Sequence, residues 1–393
     1  MFSPATVSAQ SSCTSRISNT GSGNVDINES DRVICTTGDE HHGIFVQRSV
    51  GKTDDIALTM TRGSITTSGN DAQGINVQQL GTGKVDVKLS GVRIQNESKD
   101  GNGINIFYNG SSKKDMNLEV TNVGITTTFV DNRGIIVDNA ASGNIGITMT
   151  GGSITTQGAA VTGTPEVVGR NLGIFGLLEG TGNIGVTVSD GSITTKEVNS
   201  QGIFGRHKGK GNVVISMTGG SITIEKGITT NQYVSNGIRG YHKGTDTDKG
   251  NVVISMTGGK IATQGTSSRG IVGVHEGGGN ISISVSDGRI TTVGMEAHGL
   301  YGQHTGTGQI GMTVSGGSIS TTGESAHGLY GHHTGTGQIG MTVSGGSISA
   351  TGESAHGLYA FHESTGNIGI SVLEEAAIIT EGASSHGIYV RHQ

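Results

Sequence analysis

Apolar and small polar residues alternate in short runs along this chain, and glycine pairs punctuate the runs. In the stretch that opens at Gly299, Leu300 starts a run closing at His304, Ile310, Met312 and Val314 alternate with Gly311 and Thr313, and Ile319 lies between Ser318 and Ser320. A period of two is that of a strand with one buried face, and glycine pairs between such runs read as turns. No segment repeats apolar residues at the i, i+3, i+4, i+7 spacing of an amphipathic helix. The pattern predicts three short strands per unit and no helix to cover them.

The unit recurs. The tetrapeptide Gly-aliphatic-X-small starts at Gly43, Gly74, Gly103, Gly134, Gly173, Gly202, Gly237, Gly270, Gly299, Gly328, Gly357 and Gly387, and the commonest step is 29 residues. Residues 305–330 and 334–359 differ only at Thr321 against Ala350. A fixed period of this size marks a solenoid in which each unit stacks only on its neighbours. The residue after each marker glycine is aliphatic from Ile44 to Ile388, a second stack runs from Ile56 and Val85 to Ile368, and a third from Ile65 to Ile348. The expected fold is all-β, a right-handed single-stranded parallel β-helix of about 12 coils with three short strands per coil. Residues 1–20 are expected to form an N-terminal cap segment and residues 21–393 one elongated domain. At ~4.8 Å per coil the rod is roughly 55–60 Å long. The 71 glycines are expected at corners that need a positive φ.

Composition removes several function classes. A net charge of −6 with 14% charged residues gives no nucleic-acid-binding footprint. No stretch approaches the ~18–20 apolar residues of a membrane span. The first ten residues lack the basic and apolar regions of a signal peptide. The wealth of Thr, Ser, Asn and Gly has an extracellular texture, and the end at Gln393, directly after a repeat strand, leads us to expect further chain beyond it. Cys13 and Cys35 are the only cysteines. They read either as a disulfide tying a cap over the open first coil, whose strand edge would otherwise be bare, or as two unpaired buried thiols. The repeat class favours the disulfide.

Units such as Ser142-Gly143-Asn144-Ile145-Gly146-Ile147-Thr148-Met149-Thr150-Gly151-Gly152-Ser153-Ile154, and the closing Ser385-His386-Gly387-Ile388-Tyr389-Val390, resemble the passenger domains of type V autotransporters. The resemblance covers about residues 21–393. It is specific for architecture and unspecific for activity. It implies export through an outer-membrane barrel encoded elsewhere and display on, or release from, the bacterial surface. Within the family the His-Gly-Ile/Leu-Tyr variety is similar to passengers of Bartonella, including the Bartonella angiogenic factor group. That likeness implies a secreted ligand of a vascular endothelial growth factor receptor.

Enzymatic signatures are sparse. No Gly-Asp-Ser-Gly elbow is present, and Gly277-Gly278-Gly279-Asn280-Ile281 lacks the aspartate of a calcium-binding β-roll repeat. The close acidic pairs, Asp54 with Asp55, Asp246 with Asp248 and Glu374 with Glu375, do not recur at one position of the coil, whereas a catalytic pair must face one cleft. We expect no enzyme and no cofactor. The alternative is a carbohydrate-active β-helix enzyme of the tailspike or lyase type.

Histidine is the more unusual signal. His207, His242, His275, His304, His333, His362 and His392 follow their marker glycines by five residues, at an inward-facing position. A second set, His42, His298, His327, His356 and His386, immediately precedes marker glycines. Stacked imidazoles could ligate a metal or form a structural column of neutral rings, and the lack of interleaved acids or cysteines favours the column. Two residues past the glycine, at an outward position, stand Phe45, Phe175, Phe204, Tyr301, Tyr330, Tyr359 and Tyr389. The four tyrosines form an expected exposed aromatic stripe, which reads either as cross-strand stacking or as a partner-binding surface.

Departures from the repeat complete the list. Ten extra residues stand around 159–170, with Pro165, Glu166 and Arg170, and six around 224–236, with Tyr233. A third insertion is Thr245–Lys249. Beside them Arg206, Lys208, Lys210, Arg239, Lys243 and Lys249 form a local basic patch on an acidic chain. Solenoid insertions map to loops on a binding face. The expected partner is a host cell-surface protein receptor, with a sulfated glycan as a further candidate.

Overall fold

A strand turns alternate side chains to opposite faces, so the aliphatic residue after each marker glycine and the residue two further on both point inward. The computed structural model describes residues 13–110, 113–129, 131–159, 171–225, 234–245, 247, 249–373 and 375–393. It is a right-handed parallel β-helix of about 12 turns. Among the described residues no helix is long and apolar enough to cross a membrane.

First strands stack into a 13-stranded parallel sheet. It begins with Ile17–Gly21, whose Ile17 pairs with Ile44, so the aliphatic stack reaches one coil before the first marker glycine. Second and third strands make up a 22-stranded ladder system. They are continuous in the first coils, as Val25–Thr37 and Ile56–Ser68, and separate farther on, as Ile310–Val314 and Ser318–Thr322. The register keeps equivalents in line, with Leu300 on Leu329, Ile310 on Ile339 and Ile319 on Ile348. These inward residues form one apolar cluster from Val25 to Ala360. Full burial of each such side chain contributes about 1.5–3 kcal/mol.

The marker glycines are needed for space, and this corrects the expectation that they serve a positive φ. None of them lies in the left-handed region. A Cβ on Gly328 would run into Ile348 Cγ2, from the third strand, and stand 2.6 Å from Gly357 O of the next coil. The left-handed corners are held by other residues, including Gly317 (φ 75°), Gly346 (φ 76°), Ser325 (φ 53°) and Ser354 (φ 54°).

Cys13 and Cys35 form a disulfide with their Cα atoms 5.5 Å apart. Thr14, next to Cys13, donates from its N–H and its hydroxyl to Val33 O at 2.7 and 2.8 Å. The N-terminal segment is thereby fastened along Val25–Thr37, where an edge would otherwise be bare.

The steric reading predicts a contrast between two glycines. Gly328→Ala should destabilise by about 1–3 kcal/mol, the usual cost of overpacking. Gly340→Ala should stay within about 0.5 kcal/mol, since its new methyl would meet only Ile310 O at 3.9 Å. Urea unfolding of the two variants checks this, and equal midpoints would contradict it.

Candidate functional site

The inward position that closes each first strand carries a polar column along much of the rod. In register it reads Arg48, Gln79, Tyr108, Asn139, Leu178, His207, His242, His275, His304, His333, His362, His392. Here the chain turns out of the sheet, and two backbone groups need partners. At His304, the Gly306 N–H donates to Nδ1 at 3.0 Å and Nε2 donates to Gly279 O at 2.6 Å. A carbonyl can only accept and an N–H can only donate, so the ring is the neutral Nε2–H tautomer. His333 and His362 make the same two bonds. Gln79 does the same work in an earlier coil, donating to Asp54 O at 2.8 Å and accepting from Gly81 N at 3.0 Å.

Neighbouring rings from His207 to His392 stack with centroids 4.6–5.4 Å apart. Where both ring nitrogens are engaged by backbone, ligating a metal would mean breaking one of those bonds. Among the described residues no group of three or more His, Cys, Asp or Glu is placed to hold a metal ion. Burial is the main cause that holds His304 down to about 4 and His333 below its usual range.

The outer face of the same sheet is organised differently. The histidines before the marker glycines stack as well, with His298, His327 and His356 centroids 5.0 Å apart. Each lies edge-on to a tyrosine of the next coil where that tyrosine is Tyr330 or Tyr359, at 5.0 and 4.8 Å. The expected exposed stripe is therefore corrected. Tyr301 is only 6% exposed, Tyr330 and Tyr359 are half-buried, and Tyr389 in the last coil is 38% exposed. The reason is lateral: Arg269 covers the Tyr301 ring, its guanidinium 4.1 Å from the ring centre, and the histidine column walls the flank.

Towards the middle of the rod the histidine and tyrosine columns give way to arginine and aromatic residues, which line a groove of about 710 Å³. Across two adjacent strands Phe204 faces Arg239 and Arg206 faces Tyr241. The result is a checkerboard, with Arg239 over Phe204 at 5.3 Å and over Tyr241 at 5.7 Å, and Arg206 over Tyr241 at 5.6 Å. Arg133 over Phe175 continues it at 5.9 Å. The Nε atoms of Arg206 and Arg239 are buried without a hydrogen-bond partner. Among the described residues no carboxylate forms an ion pair with either guanidinium. Burial and the neighbouring charges of Arg269 and Arg206 push Arg239 down to about 10, so it stays cationic at neutral pH. Glu276, on the rim, accepts from the Tyr241 hydroxyl at 2.7 Å.

The structure separates what the sequence grouped as one basic patch. Arg206 and Arg239 lie in the groove, packed against rings. Lys208, Lys210, Lys243 and Lys249 are exposed past the far ends of the strands, and Lys208 is paired with Glu179. Both long insertions precede strands of the groove floor, Leu172–Leu178 and Asn236–His242. Pro165, Glu166, Arg170 and Tyr233 themselves lie outside the described residues. Asp54 and Asp55 hold backbone N–H groups of Gly23 and Lys84 at 2.7 Å, which gives them a structural task. Sequence reasoning places Phe175 and Phe204 outward but does not join them with Tyr241 and Arg133 into one surface. Their signal is that all lie at outward positions of successive first strands.

Compared with family models, curated proteins and solved structures, the chain matches none.

The buried imidazoles predict acid sensitivity. A His whose folded pKa lies below the ~6.5 of a free side chain binds fewer protons when folded. Its contribution is complete above about pH 6.5 and is lost as pH falls toward the folded value, about 4 for His304. The melting temperature of the wild type should fall from pH 7 to 4.5, His304 alone costing up to about 3 kcal/mol. His304→Gln with His333→Gln, which keeps the hydrogen-bonding pattern of Gln79, should match the wild type at pH 7.5 and gain on it below pH 6. Parallel slopes for the two proteins would refute this.

Proposed function

We propose that the protein is an extracellular, non-enzymatic ligand or adhesin of the autotransporter-passenger kind, which reaches the bacterial surface through an outer-membrane barrel and engages a host-cell receptor. The observation that carries this reading is convergence: the two long insertions and the arginine–aromatic groove all belong to the coils between Arg133 and Gln303. Elsewhere the coils repeat closely, and a repetitive shaft supplies reach while departures from it supply recognition. Rings and arginines are also the residues that dominate protein interfaces. The resemblance to Bartonella passengers suggests a vascular endothelial growth factor receptor as the host protein.

A second reading, a carbohydrate-active enzyme, is favoured by one detail. Burial and the neighbouring Glu179 raise Asp138 to about 6, the range of a general acid. Glu179, however, is paired with Lys208, and neither Asp138 nor Glu179 lines the groove, where the carboxylate among the described residues is Glu276, engaged by the Tyr241 hydroxyl.

Removing residues 160–169, or replacing 225–235 by the short corner of a 29-residue unit, should leave the melting temperature nearly unchanged, because each coil packs on its neighbours. Binding to endothelial cells, followed by flow cytometry, should drop at least about tenfold, the loss of a 1.4 kcal/mol contact. Wild-type binding by both variants would refute the receptor reading. Release of reducing ends from a polysaccharide, abolished by Asp138→Asn, would replace it with the enzymatic one.

A further inference from the structure

We propose that the groove holds a linear sulfated polysaccharide, with its sulfate groups on the guanidinium groups of Arg206 and Arg239. This deepens the receptor reading and rests on it only in taking the groove as the contact surface: the host-surface group recognised there is a glycan chain.

Three observations carry the assignment. Arg206 and Arg239 stand diagonally on adjacent strands, one coil apart, where like charges repel, and yet no carboxylate among the described residues pairs with them. A site that gathers uncompensated guanidinium groups is complete only with an anion, and Arg is the side chain whose flat fork matches an oxyanion. Second, the guanidinium carbons of Arg239 and Arg206 lie 5.3 and 5.6 Å from the ring centres of Phe204 and Tyr241, and packing against the rings restricts these side chains before a ligand arrives. Third, the groove runs along the rod over successive first strands from Arg133 to Gln303, roughly 24 Å at ~4.8 Å per strand. Its remaining polar surface includes the amides of Gln201 and Gln303, suited to hydroxyl groups.

A peptide fits this surface less well. The first strands are hydrogen-bonded to neighbours on both sides, so the groove floor has no free strand edge to which an extended acidic peptide could add. A glycan needs none, since charge, ring faces and amides recognise it through side chains alone. The chain is acidic overall, at −6, so general attraction of a polyanion does not account for binding, and the site must be local.

The experiment is calorimetric titration of the full chain with a size-defined heparin oligosaccharide at 0.15 M salt. The controls are its desulfated counterpart and a polyglutamate peptide of equal charge. The expected result is a 1:1 complex with Kd on the order of 10 µM and no binding of the desulfated chain. Arg206→Ala with Arg239→Ala should weaken it at least about tenfold, and the double Lys variant should recover only part. Lys210→Ala with Lys243→Ala should change it less than about twofold, because those lysines lie beyond the groove. Overlapping melting curves of the variants show that the fold is kept. No binding, equal binding by the double Ala variant, loss confined to the lysine variant, or equally tight binding of polyglutamate would each overturn the proposal. Oligosaccharide binding without any binding to cells would leave it standing and end the host-surface reading. Cell binding indifferent to heparinase treatment and to competing oligosaccharide would do the reverse.

Discussion

The coil depends on one close contact, that of a third-strand isoleucine with a marker glycine. Ile65 seats on Gly43, Ile94 on Gly74, Ile319 on Gly299 and Ile348 on Gly328, each with its Cγ2 so close to the glycine that no room is left for a Cβ. This brings the third strand against the start of the first-strand sheet and closes the cross-section. It also explains why the residue after the glycine is aliphatic: with the gap closed, Leu300 and Leu329 face an interior with no room for water. Wherever the contact recurs, the next coil is obliged to take the same shape.

A cross-section this tight leaves few ways to turn the chain. Where it leaves the first strand, a backbone N–H and a carbonyl of the preceding coil face inward, and leaving either unpaired would cost about 1–3 kcal/mol. Only a side chain with an acceptor and a donor at the right separation meets both. Gln79 and His304 are two solutions to the same demand. The histidine solution adds ring stacking along the axis but ties the fold to the neutral imidazole. The acid sensitivity of the rod is thus a by-product of how its corners are satisfied.

The outward face of the first-strand sheet answers to none of these demands. Its side chains meet only their neighbours on adjacent strands, so its composition drifts along the rod from asparagines such as Asn76 and Asn105, through Phe204, Arg206, Arg239 and Tyr241, to the His298–Tyr330 array. Freedom from the core is what allows a recognition surface there, and the two long insertions enter at the margin of the same sheet. Rigidity comes from the coil underneath, and specificity from what is laid over it.

Architecture was legible in the sequence because it is written many times over. Period, strand phase and inward stacks each rest on a dozen equivalent positions, and equivalent positions must stack in a solenoid. Cys13 and Cys35 were legible as a pair because no other cysteine exists. Lateral relations were not legible. Alternation assigns Tyr301 to the outer face, but only the register of neighbouring strands places Arg269 over its ring. Likewise Arg206 and Arg239 are 33 residues apart in the chain, and their checkerboard with Phe204 and Tyr241 exists only once two coils lie side by side. The role of the marker glycine was hidden for the same reason, since its partner isoleucine is some twenty residues away. The repeat determines which residues share a column, whereas the distances between columns, and so every contact of the groove, are decided by how the coil closes.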